Sequence, residues 1–428
     1  MTVSTTEFAL TGFVVVMLVA QLISLKLKLP YTMILVFLGI GITALSTLPL
    51  LGSNPVSTGM RDVITLASSA YSGLVQGGLF VGIVVPPLIF EAMMNIRAPD
   101  LRAVIRPAII LATGGVVIAT LVASVILIQL AGMSLVVSVL FAALIAPTDV
   151  VTVLEVFRRA PVPSKLATLM DTEAAFNDAT AIVVFSIILS SLSLGSVPIL
   201  SSILLFGYTT LGGAAVGLLT ALWAKRISGT FEDRIAEITL TIAAVYGSYV
   251  FATGLGMSGL IAVAIVGLYF GNVTMSSTRP EVKEAVLSFW QFAAFLGNSV
   301  AFLLIGFVTD LVALSQSIIV IVGAYLAVTI ARAASVYPIL AFFNQIGEEI
   351  PLAWSNVAML GGVRGALSIA LAASLTVSSF LSGSDVHTIT TLVLGVAFLS
   401  IAIQTPLLLR YITKMFGSQQ TLERSASA

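Results

Sequence analysis

The chain has 428 residues, 58 % of them hydrophobic and only 9 % charged, with a mean hydropathy of +1.13. Soluble globular chains carry about 25 % charged residues, so this composition excludes a soluble domain and marks a membrane protein. Cysteine is absent and His387 is the only histidine, which excludes a disulfide framework and a thiolate or histidine metal cluster; a net charge of zero excludes the basic face that nucleic-acid binding requires.

A hydrocarbon core of about 30 Å takes about 20 helical residues. Cutting the chain at its polar, Gly/Pro and charged interruptions predicts thirteen such stretches, near 8–27, 31–51, 76–95, 104–131, 133–157, 165–193, 197–224, 233–254, 257–272, 284–309, 315–343, 351–378 and 386–414. The first lacks a basic n-region and a cleavage site, so it reads as a helix rather than a signal peptide. The longest connection is 52–75. Residues 415–428 are Ser-rich and read as a short, disordered cytoplasmic tail.

Basic residues collect in cytoplasmic loops. With the C-terminus inside and the N-terminus outside, the inner loops and tail receive Lys26, Lys28, Arg97, Arg102, Arg106, Arg158, Arg159, Lys165, Lys225, Arg226, Arg234, Arg279, Lys283, Arg410, Lys414 and Arg424. The outside receives only Arg61. Losing one helix would scramble every later loop, so the asymmetry supports the count of thirteen.

Charge inside the bilayer costs at least about 2.5–3.5 kcal/mol per residue and marks function. Glu91 lies in the third stretch, Asp149 in the fifth, Glu173 and Asp178 in the sixth, Arg332 in the eleventh and Arg364 in the twelfth, with Asp171 nearer the inner end of the sixth. Four acids cannot all be neutralised by two arginines. A carboxylate left over in a low-dielectric site either keeps a proton or binds a cation, and a group poised between those options is a proton/cation exchanger. Asp178 lies roughly 20 Å beyond Lys165 and Asp149 roughly 14 Å before Arg158 at helical rise, so both reach the middle of the bilayer.

The fifth stretch contains Ala146-Pro147-Thr148-Asp149, and the twelfth Gly361-Gly362-Val363-Arg364-Gly365. Proline removes a backbone bond and clashes with the preceding turn. These weak points occupy the fifth helix of the first six and the fifth of the last six. Matching interruptions point to inverted repeats with a site at the midplane. Freed carbonyls there can coordinate a cation, and Asp149 and Arg364 can face half-helix ends of opposite partial charge. The expected fold is an all-α polytopic membrane protein of two inverted six-helix repeats, with broken helices 5 and 12 crossing at the midplane.

Five motifs in order resemble the monovalent cation:proton antiporter-1 family, the NhaP-like and NHE-like sodium/proton antiporters. They are Pro86-Pro87-Leu88-Ile89-Phe90-Glu91, Pro147-Thr148-Asp149, Glu173 with Phe176-Asn177-Asp178, Ala331-Arg332 before Ser335-Val336, and Gly362-Val363-Arg364-Gly365-Ala366. The resemblance implies a single transporter domain, with core helices near 76–193 and 315–414 and interface helices near 8–51 and 197–272. It implies a homodimer in the cell membrane and no cofactor beyond the transported Na+ and H+. Asp178 would be cation ligand and proton carrier, Glu173 a second carboxylate and the Thr148 carbonyl a further oxygen for Na+. Asn177 would tie helix 6 to broken helix 5, Glu91 would pair with Arg332, and Asp149 and Arg364 would balance the helix ends. Relatives commonly carry Ser where this chain has Ala174, which removes one hydroxyl and leaves K+/H+ exchange on the same scaffold as the alternative. Electrogenic relatives have Asp-Asp in place of Asn177-Asp178 and an intramembrane lysine. Here the lysines lie at the cytoplasmic edge and the buried bases are arginines that keep their proton, so exchange is expected to be electroneutral.

The rival class is an intramembrane serine protease using Ser258, in Gly256-Met257-Ser258-Gly259, with His387. It leaves every deep charge unused. Asn298 reads as a bond between helices, with lining of the site wall as the alternative. Trp290 and Trp354 read as interfacial anchors, and Glu348 and Glu349 as a solvated inner loop.

Overall fold

Proline and glycine end the helices close to where the sequence predicts in a computed structural model that describes residues 5–27, 29–47, 64–65, 79–160, 162–194, 199–228, 233–276, 278–309, 311–375 and 381–426. Arg61 and most of the 52–75 connection lie outside the described residues. Thirteen helices, two of them interrupted, follow in order among the rest. They are α1 (Thr5–Leu27), α2 (Tyr31–Thr47), α3 (Leu79–Met94), α4 (Ala98–Ala131), α5a (Leu135–Ile145) with α5b (Val150–Arg159), α6 (Ser164–Leu194) and α7 (Ile199–Ile227). After them come α8 (Arg234–Gly254), α9 (Gly259–Thr274), α10 (Pro280–Val308), α11 (Ile318–Gln345), α12a (Leu352–Leu360) with α12b (Ala366–Ser374), and α13 from Gly383. A single short helix, Leu311–Gln316, joins α10 to α11.

The two interruptions fall in the fifth helix of each six-helix half, and they cross. Asp149 N–H donates to Val363 O at 2.7 Å, joining the break in helix 5 directly to the break in helix 12. α13 passes through a π-helical turn at Ser400–Gln404 and continues over Thr405–Ala426, so the segment expected to be disordered is helical nearly to its end. The physical reason is cooperativity: extending a formed helix adds one hydrogen bond per residue fixed, without the cost of a new nucleus.

Large apolar side chains cover the outer surface, among them Leu18, Leu22 and Leu25 on α1, Leu200, Ile203 and Leu211 on α7, and Ile319 and Ile330 on α11. Such a surface is stable against lipid tails and not against water, and the molecule is a multi-pass membrane protein. Where helices touch inside lipid, small residues let backbones approach. Gly39 of α2 meets Gly306 of α10 so closely that a Cβ on Gly306 would lie 2.6 Å from the Gly39 Cα. Trp290 corrects the expectation of an interfacial anchor. It is 1 % exposed, its ring lies 4.6 Å from Phe90, and its Nε1–H donates to Thr241 Oγ1 at 2.9 Å. A buried indole satisfied by a threonine belongs to the core rather than to the lipid boundary.

Candidate cation site

The crossing gathers charge because each break exposes helix ends. Helix 5 stops at Ile145, two residues after which Pro147 can donate no N–H, and it restarts with Asp149 as N-cap. The Asp149 carboxylate accepts from Thr152 N–H at 3.1 Å and from the Thr152 hydroxyl, placing negative charge on the positive end of α5b. Arg364 sits at the complementary end. Its Nη1 donates to Ala146 O at 2.6 Å and Pro147 O at 3.1 Å, the carbonyls that close α5a, and its own N–H donates to Ser400 Oγ at 2.9 Å in the π-turn of α13.

Arg332 repeats that arrangement on the other broken helix. Its Nη2 donates to Ala358 O of α12a at 3.0 Å, while Nη1 and Nη2 donate to Glu173 Oε1 and Oε2 at 2.7 and 2.8 Å. Glu173 is 0 % exposed, so this is a buried bidentate pair. It corrects the expected pairing of Arg332 with Glu91. α3 packs mainly on α9 and α10, with smaller contacts to α8, α6 and α12b, whereas α11 packs on α4, α12a and α13, and the acid facing Arg332 is on α6. Glu91 accepts from Asn95 Nδ2 at 3.0 Å, one turn along α3, and lines a second cavity of about 270 Å3 with Asp171, Asn95 and Gln291.

Asn177 Nδ2 donates to Thr148 Oγ1 at 2.7 Å and to Glu173 Oε1 at 3.2 Å, which links α6 to the break in helix 5. Beside these residues lies a cavity of about 40 Å3 lined by Asp178, Asp149, Thr148, Asn298, Ser368 and Gly365, the rest of its wall being largely apolar. That space suits a dehydrated monovalent ion or one or two water molecules. Glu173 does not line it, since both its oxygens face Arg332; the second carboxylate on the cavity is Asp149. Gly365 is required for that placement, because a Cβ there would lie 2.5 Å from the Asp149 Cβ.

Two residues at or behind the site, Ser368 and Ser400, escape a reading of the sequence. Asn298 takes its alternative place, facing the cavity instead of bonding another helix. Ser368 is the third residue of α12b, and a hydroxyl in an apolar run just past the glycine-rich break is the signal that could have found it. Ser400 belongs to a π-turn, which apolar periodicity does not reveal. For the protease reading, Ser258 caps α9, its Oγ accepting from Ile261 N–H at 3.3 Å, and His387 is exposed at the start of α13. No hydrogen bond joins them among the described residues. No cluster of three or more His, Cys, Asp or Glu suited to a metal ion occurs among the described residues either.

The family model for the transmembrane region of sodium/hydrogen exchangers matches residues 13–413. The Na(+)/H(+) antiporter NhaS2 of Synechocystis sp. is 32 % identical over 364 residues, covering 84 % of this chain and 63 % of that protein. The Na(+)/H(+) antiporter NhaP of Pseudomonas aeruginosa is 32 % identical over 356 residues, covering 80 % of this chain and 82 % of that protein. The chain thus spans under two thirds of the Synechocystis relative's length. Among solved structures, the sodium proton antiporter MjNhaP1 of Methanocaldococcus jannaschii has the same fold, with a TM-score of 0.71 over 97 % of this chain and 100 % of that one at 22 % identity.

Proposed function

This chain belongs to the sodium/hydrogen exchanger family, and from that premise we propose that it exchanges Na+ for H+ across the cell membrane by alternating access, with the two ions competing for Asp178. The observation that carries this reading is the Asp178 carboxylate on a cavity of about 40 Å3 at the crossing of two interrupted helices. Asp178 makes no hydrogen bond or ion pair among the described residues, so it is available to a cation or a proton. Thr148 and Asp149 complete the oxygen set, and Glu173 acts from behind it through Arg332 and Asn177.

Electroneutral exchange follows from the charge count at the crossing. Asp149, Glu173 and Asp178 face Arg332 and Arg364, which leaves one negative charge when all five are ionised. One Na+ or one H+ cancels it. The basic helix ends face the cytoplasm in this scheme. Helices α3 to α6 and α11 to α13 form the moving core, α1, α2 and α7 to α9 form the interface of a homodimer, and transport needs no cofactor.

In everted vesicles or proteoliposomes, adding Na+ is expected to drive proton movement in the wild type and none in Asp178→Asn, while the variant remains folded. Exchange persisting in Asp178→Asn overturns the assignment, and a rate that changes with an imposed membrane potential overturns electroneutrality. Ala174, which offers no hydroxyl beside Glu173, keeps K+/H+ exchange as a second reading, and titration with Na+, Li+ and K+ separates the two.

A further inference from the structure

We propose that Asn298 and Ser368 are ligands of the transported cation, two neutral oxygens that set its affinity beside Asp178. The inference rests on the reading of Asp178 as the carrier and adds two residues from helices that contribute none of the charges on that cavity. Asn298 projects from α10 and is 5 % exposed; Ser368 projects from α12b and is 1 % exposed. Both line the cavity of about 40 Å3 that holds Asp178, Asp149 and Thr148. Asn298 Oδ1 and Ser368 Oγ are each buried without a hydrogen-bond partner among the described residues.

Buried polar atoms are nearly always satisfied, and one that is not calls for an explanation such as a bound water or ion. Two that converge on one cavity with a carboxylate have a common explanation. A carboxylate alone strips a monovalent cation of little of its hydration shell, whereas amide and hydroxyl oxygens replace that shell without adding charge. Neutral ligands also leave the charge count at the crossing unchanged, so they tune affinity without altering the exchange of one proton for one cation. Val84, Leu88, Ile89, Phe302 and Leu367 make the remaining wall apolar. Beyond the helix 5 break and Asp178, these two are the polar side chains on that wall.

The test titrates Na+ against two readouts in purified full-length protein. One is proton movement in proteoliposomes, and the other is the shift of the melting temperature that ligand binding produces. For Asn298→Ala the Na+ concentration giving half-maximal exchange, and that giving half-maximal thermal stabilisation, are expected to rise roughly tenfold, the scale of one lost polar contact to a charge. Ser368→Ala is expected to shift both in the same direction, and Asn298→Ser to recover part of the loss. A purely structural role would lower the melting temperature equally in choline and in sodium, leaving the half-saturating Na+ unmoved, and that result overturns the proposal. Should Asn298→Ala fail to give a monodisperse protein, Ser368→Ala and Asn298→Ser carry the same comparison, and unchanged half-saturation in both overturns it. A wild type without Na+-driven exchange, or an active Asp178→Asn, would instead strike the proposed function.

Discussion

Arg332 holds Glu173 through both terminal nitrogens, at 2.7 and 2.8 Å, and so takes the acid four residues before Asn177 out of the cavity that Asp178 lines. A buried ion pair of this kind is not strongly stabilising in itself, because desolvating both charges offsets their attraction. Removing one partner is another matter, costing about 3–5 kcal/mol, since it strands the other charge.

That asymmetry gives the first prediction. Arg332→Met and Glu173→Gln should each lower the melting temperature in detergent, and the double variant should melt above the Arg332→Met single. A double-mutant cycle on these melts reads the coupling. Strictly additive losses would show that the pair is not the unit the geometry describes.

Gly365 supports a second prediction, because a Cβ added there would lie 2.5 Å from Asp149 Cβ and 2.7 Å from its Cγ. Overpacking costs about 1–3 kcal/mol, and here relief must come from moving either the N-cap of α5b or the break in helix 12. Gly365→Ala is expected to cut the exchange rate at least about tenfold. By contrast, Gly41→Ala on α2, where the added Cβ meets nothing within 4 Å, should leave it nearly unchanged. Equal activity in the two variants would mean that Asp149 can move without consequence.

Competition at one carboxyl makes a third prediction that needs no mutation. If Na+ and H+ exclude each other at Asp178, lowering the pH on the side from which Na+ binds should raise the apparent KM for Na+ by about tenfold per pH unit over the range where the proton form dominates. The maximal rate, extrapolated to saturating Na+, should fall much less. A KM independent of pH with a falling maximal rate would point to two separate sites.

The thirteen helices and both interruptions are legible in the sequence because membrane burial writes them in strong terms: long apolar runs, basic ends, and Pro or Gly in the breaks. Pairing is less legible. Glu91 and Glu173 are both deep acids, and nothing in their spacing says which one faces Arg332; that depends on α3 packing mainly on α9 and α10 while α11 packs on α4, α12a and α13. Asn298 is ambiguous for the same reason, since an intramembrane amide satisfies itself equally well on another helix or on a cavity. Trp290 misleads because its place near a helix end resembles an interfacial anchor, whereas Thr241 on α8 supplies the partner that lets the indole be buried.

The last prediction concerns the contact between α2 and the broken helix. Glu155 of α5b accepts from Tyr31 N–H, and from Thr32 N–H at 3.2 Å and the Thr32 hydroxyl at 3.3 Å. It therefore covers the first turn of α2, whose N–H groups have no partner within their own helix. Thr152 continues the contact, its Oγ1 lying 3.3 Å from Thr32 Oγ1 while its hydroxyl donates to Asp149, so the cap on α2 is one step removed from the carboxylate on the cavity. Loss of a helix cap costs about 0.5–2 kcal/mol, and Glu155→Ala should lower the melting temperature on that scale. If α5b shifts against α2 during transport, this cap belongs to one of the two end states, and removing it changes their ratio. Glu155→Ala should then also alter the accessibility of a cysteine placed at Leu154, on the wall of the second cavity, measured by maleimide labelling with and without Na+. A loss of stability with identical labelling would make the contact a fixed part of the scaffold, present in both states.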